Sequence, residues 1–104
     1  MEIKHLSDKD FEQETNKSNL VVVDFFATWW GPCRILGPIL ENVAEDVKDV
    51  DIYKVDVDEN EKTARQFGVM SIPTIVLLKD GKEIARNIGL INYDNLLDFI
   101  NRHK

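Results

Sequence analysis

The chain is 104 residues long and carries 13 basic against 19 acidic side chains, which gives a formal net charge of −6. A chain of this length suits one domain, residues 1–104, and is too short for two. Its acidic balance disfavours direct binding to the phosphate backbone of a nucleic acid. No apolar run is long enough to cross a membrane, and the first residues lack the basic and apolar regions of a signal peptide. We therefore expect a soluble, cytoplasmic protein.

Strand and helix patterns alternate along the first half of the chain. Ser7–Asp10 has the composition of a helix N-terminus and predicts a short first helix. Residues 20–26 are apolar except for Asp24, as is typical of a central strand buried on both faces. From residue 32 to residue 48 apolar side chains recur at spacings of three and four, which predicts a long helix. Pro38 lies inside this helix and predicts a kink.

A second strand and a shorter helix are predicted in the middle of the chain. Residues 51–57 alternate between apolar and polar side chains, as a half-buried strand does. Asp58, with Glu61 three residues further on, predicts the N-cap of the next helix, and Gly68 predicts its end.

The last part of the chain predicts a hairpin followed by a helix. Residues 74–78 and 84–88 are strand-like, and the Asp80–Gly81 pair between them is a strong signal for a tight turn. Residues 93–100 place their apolar side chains on one helical face. The predicted order is β-α-β-α-β-α-β-β-α. This order favours an α/β fold in which helices cover both faces of a central sheet.

Cys33 is the one cysteine of the chain, so an internal disulfide is ruled out and no oxidising compartment is required. The two histidines, His5 and His103, lie near opposite ends of the sequence. Because no spacing typical of a metal site exists, we expect neither a metal nor another cofactor.

The segment from residue 29 to residue 33 lies where the first buried strand passes into the long helix. It closely resembles the thioredoxin active site, in which a tryptophan precedes the sequence Cys-Gly-Pro-Cys. Trp29 matches that tryptophan, Gly31 and Pro32 match the central pair, and Cys33 matches the second cysteine. Trp30 stands at the position of the first, attacking cysteine.

The resemblance extends along the whole chain. Asp24 matches the buried acid behind the family's active site, and Lys54 matches the lysine that approaches it. Ile72 and Pro73 match a loop whose proline is cis and faces the dithiol. Three further positions match residues that are characteristic of the family: Pro38, Gly81 and Gly89.

This resemblance implies a thioredoxin fold with a central mixed sheet and helices on both faces. It implies protein-disulfide reductase activity, with protein disulfides as substrates and a thioredoxin reductase as a partner. It also implies that Asp24 accepts a proton from Cys33. Independently of that role, burial is expected to raise the pKa of Asp24, with Lys54 partly opposing the rise.

Disulfide exchange by such a motif needs two thiols. The first attacks the substrate disulfide to form a mixed disulfide, and the second then resolves that bond. The indole of Trp30 has no nucleophile, so we expect the chain not to turn over. Cys33 matches the more buried thiol of the pair. Because burial raises the pKa of a thiol, we expect Cys33 to react slowly.

An exposed apolar groove is expected around the active-site segment, where the family receives extended substrate segments beside the cis proline. We expect Trp30 to fill part of it. The groove residues are Trp29, Trp30, Pro32, Ile72, Pro73 and Gly89–Ile91.

Three functions remain open at this stage. The chain is a thioredoxin whose first active-site cysteine has been changed to Trp30, or a thioredoxin-like binding module that uses the groove without chemistry. The third alternative is a monothiol protein that forms mixed disulfides through Cys33. A monomer is expected, and a weak dimer through the active-site face is the alternative.

Overall fold

The computed structural model describes residues 3–104, and within them strands and helices alternate in the predicted order. The elements are β1 (Lys4–His5), α1 (Phe11–Thr15), β2 (Val21–Phe26), α2 (Gly31–Asp46), β3 (Asp51–Asp56), α3 (Glu61–Gln66), β4 (Thr74–Lys79), β5 (Lys82–Ile88) and α4 (Tyr93–Asn101). No helix in this part of the chain is long and apolar enough to cross a membrane.

The strands form one mixed sheet in the order β1-β3-β2-β4-β5. The central strand β2 runs parallel to β3 and antiparallel to β4. Its six residues are all buried, as their nearly continuous apolar sequence predicts. Asp24 pairs in register with Lys54 on β3 and with Ile75 on β4. The one acid of this strand is therefore held in the middle of the sheet.

Helices cover both faces of the sheet, which confirms the predicted layers. Val21 and Val23 pack on one face with Phe11 of α1, whereas Val22 packs on the other. Because side chains alternate along a strand, Asp24 lies on the face of Val22. The buried helical residues of that face come from α2 and α4: Leu36, Leu40, Val43, Leu96, Phe99 and Ile100.

The predicted hairpin is present between β4 and β5. Asp80 and Gly81 form its two-residue turn, with φ angles of 53° and 76°. Positive φ at both central positions is what the tightest hairpin turns require, and it explains the Asp-Gly pair. Gly68 likewise has a positive φ of 59° just after α3, where the sequence predicts the end of that helix.

The predicted cap of α3 is wrong. Helix α3 begins two residues later than a cap at Asp58 would require, and Asn60 occupies the N-cap position. The carboxylate of Asp8 instead accepts the backbone N–H of Thr63 at 2.8 Å. Asn60 in turn accepts the backbone N–H of Asp8 at 3.0 Å. A local spacing rule failed here because the cap comes from a residue far away in sequence.

Candidate functional site

The junction between β2 and α2 presents two adjacent tryptophans to solvent. After the buried Ala27 the chain turns through Trp29, and Trp30 takes the N-cap position of α2 with an extended backbone. The side chain of Trp30 makes no capping hydrogen bond. The exposed fractions are 64% for Trp29 and 43% for Trp30. A 16-residue helix thus begins directly after Trp30.

Cys33 lies in the first turn of α2, and its side chain is buried. Burial raises the pKa of its thiol, and the nearby Asp24 acts in the same direction. A hydrogen bond from the backbone of Ala27 and the charge of Lys54 oppose this rise without cancelling it. The thiol is therefore held in its protonated, weakly nucleophilic form at neutral pH.

Asp24 is fully buried behind this segment, and within residues 3–104 neither of its carboxylate oxygens has a hydrogen-bond partner. Burial raises its pKa to about 7, while the ammonium group of Lys54 lowers it. Both directions agree with the expectation from the sequence. The Lys54 ammonium lies 4.4 Å from the ring centroid of Phe26, a cation–π contact that holds this charge beside the strand.

A cavity of about 380 Å³ connects the thiol and the lysine. Its wall comprises Phe26, Ala27, Thr28, Cys33, Arg34, Gly37, Pro38, Glu41 and Lys54. A Cβ atom at Gly37 would lie 3.8 Å from Nζ of Lys54, so the lysine passes close to the backbone of α2. No pattern in the sequence predicts this cavity, because it depends on how closely α2 approaches β3.

The second loop of the site precedes β4. The Ile72–Pro73 peptide bond is cis, as the resemblance implied, and Pro73 is buried. The N–H of Gly89 donates to the carbonyl of Pro73 at 2.8 Å, so these two predicted site residues adjoin. Because Thr74 pairs with Phe25, this loop lies at the same edge of the sheet as the two tryptophans.

Asp58 is a site residue that the sequence analysis placed elsewhere. Nε1 of Trp29 donates to Oδ2 of Asp58 at 2.7 Å. Trp29 and Asp58 each lie shortly after the end of a strand, and because β2 and β3 are parallel neighbours these two positions meet at one edge of the sheet. The indole rings of Trp29 and Trp30 contact edge to face, with their centroids 5.9 Å apart.

Comparison with known proteins agrees with this geometry. The family model described as Thioredoxin matches residues 2–102. A protein named thioredoxin from Chlamydia pneumoniae is 48% identical over 101 residues, which cover 97% of this chain and 98% of that protein. A thioredoxin from Listeria monocytogenes is 45% identical over 102 residues, with 97% and 98% covered.

The fold of this chain is also similar to that of a solved structure. The X-ray structure of Fasciola hepatica thioredoxin superimposes with a TM-score of 0.90 at 44% sequence identity. The match covers 98% of this chain and all of that one, so the mixed sheet and its helices are the thioredoxin fold. This chain belongs to the thioredoxin family.

Proposed function

We propose that this chain is a protein-disulfide oxidoreductase of the thioredoxin family whose exchange cycle is blocked at the attacking step. Trp30 takes the place of the attacking cysteine. The observation that supports this most directly is the position of Trp30 as the N-cap of α2, with the chain's one cysteine buried in the helix behind it.

The chemistry explains why one thiol is not enough. A thiolate at the N-terminus of α2 would be stabilised by free backbone N–H groups and by the helix dipole. It would attack one sulfur of a substrate disulfide, forming a mixed disulfide and releasing the other sulfur as a thiolate. The indole of Trp30 has no electron pair to offer in this step. Cys33 then has no mixed disulfide to resolve.

The remaining parts of the site are consistent with descent from an active disulfide reductase. A buried carboxylate without a hydrogen-bond partner is costly, so its retention at Asp24 argues for a chemical origin. In that role Asp24 accepts the proton of Cys33, and the ammonium group of Lys54 lowers the pKa of Asp24. The residues assigned to substrate contact are Trp29, Gly31, Pro32, Ile72, Pro73 and Gly89.

The proposal includes the setting in which the chain works. We assign residues 1–104 to one domain that acts as a monomer in the cytoplasm, with protein disulfides and a thioredoxin reductase as the ancestral partners. The single cysteine fits a reducing compartment, since the fold needs no disulfide.

The test is reduction of insulin disulfides by dithiothreitol, measured with the chain itself, Trp30→Cys and Trp30→Ser. We expect turnover above the uncatalysed rate in Trp30→Cys alone. The serine variant is the matched control, because it removes the indole without supplying a thiol. A double variant, Trp30→Cys with Cys33→Ser, should turn over far more slowly than Trp30→Cys, because its mixed disulfide can be resolved only by dithiothreitol from solution and not by a neighbouring thiol.

Two outcomes would overturn the proposal. Turnover by the unmodified chain would show that Cys33 alone performs the exchange, as a monothiol protein would. Absence of turnover in Trp30→Cys, with a native circular dichroism spectrum, would show that the fold serves a binding role and not disulfide exchange.

A further inference from the structure

The exposed tryptophan pair forms a corner of the groove, and neither indole takes part in the bond exchange itself. Trp29 and Trp30 meet edge to face at an interplanar angle of 67°, so their outer faces point in different directions. Both side chains are substantially exposed although indoles are among the side chains most stabilised by burial. We call Trp29, Trp30 and Asp58 the indole corner.

A carboxylate is held against this corner. Asp58 accepts the Trp29 indole N–H at 2.7 Å through Oδ2, which orients both groups. Among residues 3–104, no basic side chain forms an ion pair with Asp58. Its negative charge is therefore left for an external cation.

The faces of the two indoles carry no internal cation. Within the described part of the chain, the cation–π contacts use other rings: Lys54 lies over Phe26, Lys17 over Tyr53 and Arg102 over Phe99. An indole face attracts a cation through its quadrupole, and tryptophan is the best of the aromatic side chains for this contact.

We propose that the indole corner binds an arginine side chain presented by an extended polypeptide segment. A guanidinium group is planar, so it stacks on an indole face while donating hydrogen bonds to a carboxylate at its edge. An aliphatic side chain would pack on the indole faces but would give the carboxylate of Asp58 no partner. The net charge of −6 further favours a basic segment over an acidic one.

The inference rests on the proposed function in one respect, namely that position 30 contributes binding surface and not a nucleophile. The corner lies at the same edge of the sheet as the Pro73 loop, so it forms part of the groove. The inference therefore also says which polypeptide segments the groove prefers, namely those that carry an arginine. A peptide without cysteine tests it separately from disulfide exchange.

The experiment is a titration followed by tryptophan fluorescence, excited at the red edge of the absorption band where tyrosine does not absorb. This signal reports on the corner because Trp29 and Trp30 are the two tryptophans of the chain. The probes are two short acetylated, amidated peptides that differ only by arginine or citrulline at the central position. Citrulline keeps the shape of arginine and removes its charge. At low salt we expect the arginine peptide to bind about fivefold more tightly.

Two carboxylate-to-amide variants locate the effect. Asp58→Asn keeps an oxygen that can accept the indole N–H but removes the charge, so the preference for arginine should disappear. Glu12→Gln removes the same charge at the opposite end of the sheet, beside the β4–β5 turn, and should preserve the preference. A third variant, Trp30→Leu, should weaken binding of the arginine peptide as measured by the fluorescence of Trp29.

Equal binding of the arginine and citrulline peptides would overturn the proposal, as would equal effects of Asp58→Asn and Glu12→Gln. A fluorescence change that depends on protein concentration without peptide would assign the corner to a second copy of the chain and would also overturn it. The insulin assay is independent of these results. If the arginine preference is absent, the proposal that disulfide exchange is blocked still stands. If the unmodified chain turns over in the insulin assay, the peptide titration still tests arginine binding.

Discussion

At the scale of the single residue, the carboxyl group of Asp24 dominates the energetics of the site. It is buried in the central strand without a hydrogen-bond partner among the described residues, and the ammonium group of Lys54 compensates it only in part. Burial therefore raises its pKa from the ordinary value of 3.8 to about 7. The folded state then binds a proton that the unfolded state releases, so stability falls as the pH rises between these two values.

We expect Asp24→Ala to stabilise the protein at pH 8. The rise in pKa corresponds to a penalty on the order of 4 kcal/mol once the carboxyl is ionised in both states, and the alanine variant escapes it. Lost packing costs about 1 kcal/mol at every pH, so the net gain should be about 3 kcal/mol at pH 8 and should become a loss of about 1 kcal/mol well below pH 4. Urea denaturation across this pH range measures it.

The amide variant Asp24→Asn serves as the control for this prediction, because it keeps the size of the side chain and removes only the titration. Its unfolding free energy should lose the same pH dependence between pH 4 and pH 7. If the stability of the alanine variant falls with rising pH in parallel with that of the parent, the pH dependence does not come from Asp24.

At the scale of the element, helix α3 shows how a short helix is stabilised by distant groups. It has six residues, too few to be stable alone, and the residue at its N-cap position makes no side-chain capping bond. Asp8 reaches it from the segment before α1, and the hydrogen bonds that the hydroxyl and the backbone N–H of Thr63 donate to its carboxylate lower the pKa of Asp8. Asn60 completes the link through the Asp8 backbone and the carbonyl of Asp56.

We expect Asn60→Ala to lower the free energy of unfolding by about 2 kcal/mol, since two part-buried hydrogen bonds are lost together. Asp58→Ala, at the cap position that the local spacing predicts, should have a clearly smaller effect on stability. Thermal denaturation of both variants provides the comparison. A larger loss of stability in Asp58→Ala would support the local cap instead.

At the scale of the whole molecule, the reactivity of Cys33 depends on the integrity of the core. Cys33 is 3% exposed and belongs to α2, a helix that packs on the core of one face of the sheet. The raised pKa of its thiol reduces the reactive thiolate further. Both effects disappear in the unfolded chain, so opening of the structure controls alkylation.

We expect iodoacetamide to alkylate Cys33 at least about 100-fold more slowly in the folded protein than in urea, at one pH and one reagent concentration. Mass spectrometry of quenched samples gives both rates. The fully unfolded protein is the internal control for intrinsic reactivity. Comparable rates in the two states would show that the cavity beside Lys54 admits the reagent and that Cys33 acts as a working thiol.

The parts of this structure that could be predicted from sequence depend on information that is local in the chain. The apolar run of β2, the three-to-four spacing of α2 and the Asp80–Gly81 turn each carry their signal within a few neighbouring residues. The bond from Trp29 to Asp58 spans 29 residues, and that from Thr63 to Asp8 spans 55. No local pattern predicts such bonds, because they arise only when separate elements meet.

The sequence by itself determined the order of the elements, the family resemblance and the lack of a second thiol. These follow from residue identity and short-range periodicity, which the folding of the rest of the chain does not alter. Only the tertiary structure decided that Asp24 has no hydrogen-bond partner, that Asp58 orients Trp29, and that Lys54 and Cys33 share a cavity. Burial and electrostatic contact depend on which surfaces pack together, and that packing exists only in the assembled fold.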